Sequence, residues 1–262
     1  MQPETFVPTS VARRLIARMR VTHERRRISI FSGPPGLGKT TAIDAFHSSS
    51  LDGVVVVKVA NRPAKEVIVL QHILEAFRRM SGDARRAVPS SIWELRKYLR
   101  QEIEAWAARG SEDGAAAAPH LTFVFDEAQN LSRSAIEVLR YWNDADRCYA
   151  PFPVGLIFVG NNEFALQSGG SGESAISAAV ADRALYVQTL EYADLTDEDI
   201  DMFLKAQGLA DGSGRAAIVR YLRTSRAPRS LRRVIDLLED VADLAGGQPM
   251  TSSVVHQALA TA

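Results

Sequence analysis

Nine consecutive residues, Gly33-Pro34-Pro35-Gly36-Leu37-Gly38-Lys39-Thr40-Thr41, constrain this chain more than any other feature. They satisfy the GxxxxGK[ST] pattern, in which glycines let backbone N–H groups converge on phosphate oxygens and the following helix N-terminus adds the positive end of its dipole. A chance match in a chain of this size is on the order of one in a hundred, so the run is read as functional. An apolar strand, Ile28 to Phe31, precedes it, and a helical stretch from Lys39 to about His47 follows. Strand, glycine loop and helix open a nucleotide-binding α/β unit. In it Lys39 would reach the β- and γ-phosphates, and the Thr40 hydroxyl would ligate Mg²⁺.

The rest of the chain extends that unit. Val54, Val55, Val56 and Val57 form a continuous β-branched run, the mark of a strand buried on both faces as in parallel sheets. Leu121 to Phe125, Val154 to Val159 and Leu185 to Leu190 read as further strands. Between them lie helical stretches at 66 to 80, 91 to 108, 135 to 141 and 176 to 182, with loops at 109 to 119 and 168 to 172. A helix capped by Thr9 or Ser10 runs to about Arg27 and places Val11, Leu15, Ile16 and Met19 on one face. Strands alternating with helices predict a mainly parallel sheet covered on both faces. From Thr196, itself a helix cap, every periodicity is helical. The expected division is therefore an α/β domain over 1–194 and a small helical domain over 195–262.

The third strand ends in two acids, Asp126 and Glu127, at the edge of the sheet where open α/β folds bind ligands. Alone, such a pair is usually a helix N-cap. About ninety residues after a phosphate loop it reads as catalytic: Asp126 for the magnesium shell, Glu127 to polarise the attacking water. The fourth strand ends at Gly160, Asn161, Asn162. A carboxamide there could bond both the γ-phosphate and that water, while an Asn turn with left-handed backbone is the other reading, and either asparagine could serve.

Composition excludes several other classes. The chain's 31 basic and 31 acidic residues cancel, so net charge gives no hint of nucleic acid. Locally, Arg13, Arg14, Arg18, Arg20, Arg25, Arg26 and Arg27 meet only Glu24, which permits a basic N-terminal face. A single cysteine, Cys148, excludes an internal disulfide and any multi-cysteine metal site and suits a reducing cytoplasm. The five histidines lack ligand spacing. No apolar run is long enough to span a bilayer, and Met1 to Ser10 lacks the order of a secretory signal, so a soluble cytoplasmic protein is expected. Trp93, Trp106 and Trp142 read as core, and Arg78, Arg79, Arg85 and Arg86 as solvated helix faces.

Taken in order, the glycine loop, DEAQNL at 126–131, Asn161, Arg183 before the last strand and Arg229 in the helical region resemble the AAA+ ATPases. The resemblance assigns them as Walker A, Walker B, sensor 1, arginine finger and sensor 2. Phe6-Val7-Pro8-Thr9, DEAQNLS with Leu139-Arg140, LIFVGNNEF and APRSLRRVIDLLEDV further resemble the DNA-transposition helper ATPases, which include the B protein of phage Mu. That protein has an additional N-terminal DNA-binding helical domain, for which the thirty residues before the glycine loop leave no room. The resemblance implies an ATP- and Mg²⁺-dependent homo-oligomer, a ring or helical filament on double-stranded DNA, that recruits or stimulates a transposase. Arg183 would enter a neighbour's ATP site and Arg229 would sense nucleotide; a surface ion pair, for Arg183 with Asp182 or Asp194, is the alternative for each. For DNA the resemblance points to the loop after the second strand, with Asn61, Arg62 and Lys65, a set that also fits a solvated basic loop.

Three competing readings stand beside this one. A nucleotide-gated signalling or secretion-associated AAA+ ATPase would act on protein partners without DNA. A small-molecule kinase also uses a phosphate loop, but no acceptor-pocket motif accompanies it here. A binding-only scaffold is disfavoured by Glu127.

Overall fold

The computed structural model describes residues 6–49, 52–59, 65–83, 87–112, 120–144, 152–162, 176–225 and 228–261. The chain divides into two compact units, one of Ile16–Ser32 with Ile43–Thr189, the other of Met1–Leu15, Gly33–Ala42 and Leu190–Ala262.

The first unit is built on a five-stranded sheet of β1 (Ile28–Ser32), β2 (Val54–Lys58), β3 (Thr122–Asp126), β4 (Gly155–Gly160) and β5 (Ala184–Thr189). All pairings are parallel and the spatial order is β2-β3-β4-β1-β5. Parallel neighbours need helical crossovers, which is what the alternating sequence pattern required. β1, β3 and β4 are buried at every residue, as interior strands between two helical layers must be. β2 departs from the expectation of burial on both faces: it forms an edge of the sheet, so Val56 is only half-buried and Lys58 is exposed.

On one face Ile28, Ile30, Val55, Val57, Phe123, Phe125, Leu156 and Phe158 meet α3 (Glu66–Ser81), α4 (Ile92–Glu112) and α5 (Arg133–Asn143). Phe125 and Phe158 stack across β3 and β4 with ring centroids 5.2 Å apart. The other face carries residues of α1 (Ser10–Glu24) and α2 (Lys39–His47): Thr22 bonds Ser29 at 2.7 Å, and His23 packs edge-on to Phe46. α6 (Ala178–Arg183), capped by Ser177, leads into β5.

Three helical details differ from expectation. α4 continues through Glu112, past the point where Gly110 and the residues after it mark a loop. Trp93 is 67% exposed on the outer side of α4, while Trp142 is fully buried as expected. Arg78, read as solvated, is 1% exposed and paired with Glu102 at 3.4 Å, because α4 covers that side of α3 and offers a carboxylate. Cys148, Arg85, Arg86 and the tip at 168–172 lie outside the described residues.

In the second unit the regular elements described after β5 are all helical, with the α-helices α7 (Asp197–Ala206), α8 (Gly212–Thr224), α9 (Leu231–Ala245) and α10 (Ser252–Thr261). Thr196 caps α7 as the sequence predicts, in a reciprocal box with Asp199. Asp211 and Ser230 cap α8 and α9, and Gly246 in left-handed geometry ends α9. Ile200, Leu204, Ile218, Val234, Leu237, Val241 and Val255 are the buried face of these helices.

Candidate functional site

The motif residues fall into two groups, one in each unit. The glycine loop groups with the C-terminal helices. Gly36 and Gly38 both sit at φ +79°, a left-handed backbone that a side chain resists. At Gly36 a Cβ would also lie 2.8 Å from the Cβ of Ser230, and at Gly33 one would lie 2.7 Å from that of Leu190. The loop is therefore held by the residues that cap α9: the Gly36 carbonyl accepts from Leu231 N at 2.8 Å. Lys39 opens α2 and its Nζ donates to the carbonyls of Gly33 and Pro34, each at 2.8 Å, so the cation is drawn back over the loop it follows. Thr40 and Thr41 are exposed at the start of the helix.

Arg229 immediately precedes Ser230, the cap that touches the loop. It forms an ion pair with Asp197, which also takes Arg223. Its Nε is buried with no hydrogen-bond partner among the described residues.

The acidic pair and the asparagines lie at the carboxyl edge of the sheet. Asp126 is the last residue of β3 and is 4% exposed. Its Oδ1 accepts the backbone N–H of Glu127 at 2.9 Å. Glu127 is half-buried and has φ 57° and ψ 40°, in the left-handed region. For a residue with a Cβ this conformation is uncommon, and among the described residues only Arg26 shares it. A single 3₁₀ turn, Ala128–Asn130, follows and is pinned by Asn130 Nδ2, which donates to the Val59 carbonyl at 2.7 Å beyond the end of β2. β4, next to β3, ends at Gly160, so Asn161 stands at the neighbouring strand terminus. Its backbone N–H donates to Gln129 Oε1 at 3.0 Å, and Gln129 Nε2 donates in turn to Glu127 Oε2. Asn162 Oδ1 is buried with no partner among the described residues.

Gln129 and Asn130, which tie the acidic turn to the ends of β4 and β2, have no charge or motif spacing to mark them in the sequence. Their contacts depend on which strand ends lie beside β3, which the chain order does not disclose.

Arg183 ends α6 and is 45% exposed at its side chain, with Nη1 on Asp144 Oδ2 at 2.9 Å. That partner is neither Asp182 nor Asp194; Asp194 pairs with Arg14 at 2.7 Å. Of the three residues offered for DNA, Lys65 is exposed just before α3, and Asn61 and Arg62 lie outside the described residues. No group of three or more metal-ligating side chains occurs among the described residues, and no helix among them is long and apolar enough to cross a membrane.

Among solved structures, Cdc6p from Pyrobaculum aerophilum aligns with a TM-score of 0.60 and 16% identity, over 96% of this chain and 65% of that one. The RuvB Holliday junction branch migration motor of Thermotoga maritima aligns with a TM-score of 0.53 and 13% identity, over 99% of this chain and 72% of that one. This chain thus spans about two thirds of the length of the solved proteins it resembles. No curated protein sequence matches it significantly. The family described as "AAA domain" matches residues 22–167, from the end of α1 past Asn161 and across the glycine loop and the acidic pair. With that match over more than half of its length, on an all-parallel sheet, the chain belongs to the AAA domain family and is an AAA+ ATPase.

Proposed function

We propose that this ATPase is a regulator of DNA transposition that binds duplex DNA without sequence preference as an ATP-dependent oligomer and recruits or stimulates a transposase. The observation that carries the hydrolytic part is the pair of adjacent strand ends, β3 closing on Asp126 and left-handed Glu127 and β4 closing on Asn161. Phosphoryl transfer asks of a protein mainly a positioned water and a clamp for charge, and these residue types supply both. In this reading Gly33 to Thr41 hold the phosphates, Lys39 neutralises them, and Thr40 with Asp126 holds Mg²⁺. Glu127 orients the attacking water and Asn161 bonds water and γ-phosphate. Arg229 answers to bound nucleotide, and Arg183 reaches the ATP of a neighbouring subunit.

The residues suit Mg-ATP. Two left-handed glycines and a lysine gathered onto the loop carbonyls form a cationic, N–H-rich turn. Thr40 and Asp126 offer the hard oxygen ligands that magnesium prefers. When bound, the metal supplies charge neutralisation on the phosphate oxygens.

DNA binding draws support from the string resemblances and from the named work of RuvB on Holliday junctions. Exposed Lys65, with Asn61 and Arg62 beside it in sequence, would give few cations per subunit but many along an oligomer. The division into 1–194 and 195–262 and a cytoplasmic location belong to the same proposal.

A mobility-shift titration on random duplex with a non-hydrolysable ATP analogue tests it. Binding at low salt that weakens as salt rises is expected. No shift at low salt would remove DNA from the reading and leave an ATPase that acts on protein partners.

A further inference from the structure

We infer that Gln129 is a positioning residue for hydrolysis, one rigid amide that fixes the Glu127 carboxylate to the end of β4 so that Glu127 and Asn161 are set as a single piece. The inference rests on the reading of Glu127 as the residue that orients water.

Much of the turn that carries Glu127 is already fixed by hydrogen bonds. Glu127 has its backbone fixed in the left-handed region, with its N–H on Asp126. The turn that follows is closed by Asn130 N on Glu127 O at 2.9 Å and Leu131 N on Ala128 O at 3.0 Å, over a fully buried Ala128. Asn130 ties the same turn to Val59. What these contacts leave undetermined is the direction of the Glu127 side chain, a flexible group with three rotatable bonds.

Gln129 settles it. Its Nε2 donates to Glu127 Oε2, and its Oε1 accepts from Asn161 N at 3.0 Å. A primary amide is planar and its two polar ends cannot move independently. The carboxylate of β3's terminus and the backbone of β4's terminus are therefore held at a separation set by one side chain. Oε2 is committed to the amide, which makes Oε1 the oxygen presented to a water. A displacement of Asn161 on contact with phosphate would turn the amide and with it the carboxylate. Preorganisation of this kind is worth rate and not affinity, since it acts on the group that meets the water and not on the phosphate loop.

Steady-state ATP turnover in Gln129→Met, near in shape but without hydrogen bonds, is the direct test. The expected result is a kcat about tenfold lower with KM changed less than twofold and an unchanged thermal midpoint. Single-turnover rates complete a cycle with Glu127→Gln, in which adding Gln129→Met should produce no further loss, whereas a merely structural role would slow both backgrounds alike. Wild-type kcat in Gln129→Met or an additive double variant would each overturn the inference. Normal turnover in Glu127→Gln alone would instead show that the reading of Glu127 is wrong, and the inference would fall with it.

Discussion

Glu127 occupies a backbone conformation that costs a residue with a Cβ roughly 1–2 kcal/mol, and it does so beside the most buried acid of the sheet edge. The cost is met by the short turn after it and by Asp126, which accepts its N–H. Replacing the carboxylate by its amide leaves those backbone bonds untouched. Glu127→Gln is accordingly expected to retain ATP, lose turnover, and accumulate the assembled form in sedimentation with ATP. Lys39→Ala removes the only side-chain cation of the glycine loop and should abolish binding of a fluorescent nucleotide. Gly36 tests the loop's shape. With φ +79° and Ser230 2.8 Å from where a Cβ would stand, Gly36→Ala should lose nucleotide binding and destabilise the fold by about 1–3 kcal/mol in urea titration.

At the scale of elements, stability depends on joints between helices and strands. His23, near the end of α1, is 3% exposed and its Nδ1 bonds Thr122 Oγ1 at 2.9 Å at the start of β3. Burial first, and then the charges of His120 and Arg26, push its pKa down from 6.5 to about 4. The folded state thus favours neutral His23. Above pH 6.5 the histidine is neutral in both states and its contribution is fully present. Between pH 6.5 and about 4 the unfolded chain holds a proton the folded chain lacks, so stability falls by about 1.4 kcal/mol per pH unit. Denaturation midpoints across that window should show the slope, and His23→Gln should flatten it. Asp199 is the corresponding joint of α7. Burial would raise its carboxyl, but bonds from the Ser10 hydroxyl and from the N–H groups of Thr196 and Ser10 outweigh it and hold the group below the usual carboxylate range. Because it caps its own helix and bonds the first residue of α1, Asp199→Ala should lower stability by about 2 kcal/mol, read as a lower thermal midpoint.

At the scale of the whole molecule, Arg183 is the residue through which assembly can be tested. Arg183 is half exposed and paired with Asp144, a surface ion pair of the kind worth about 0–1 kcal/mol. Arg183→Ala should therefore leave the fold intact. If the arginine serves a neighbour's ATP, turnover is lost in this variant and returns when it is mixed with Lys39→Ala, which cannot bind nucleotide but can lend its arginine. Absence of rescue in the mixed phosphate-release assay would count against a shared site.

The sequence by itself determined the elements whose physics is local. The glycine loop, the four-valine strand, Thr196 as a cap and the acidic pair at a strand end are all written in residues within a few positions of one another. Backbone geometry, periodicity and capping act over that range, so the parallel α/β sheet and helical C-terminal region were legible. Only the tertiary structure decided which strands became neighbours. The order β2-β3-β4-β1-β5 left β2 at an edge, set β4 beside β3, and so gave Gln129 something to bridge. It also turned Arg78 inward beneath α4 and left Trp93 outside. Burial and hydrogen bonding between segments tens of residues apart depend on packing, and packing is a property of the assembled sheet that no local pattern carries.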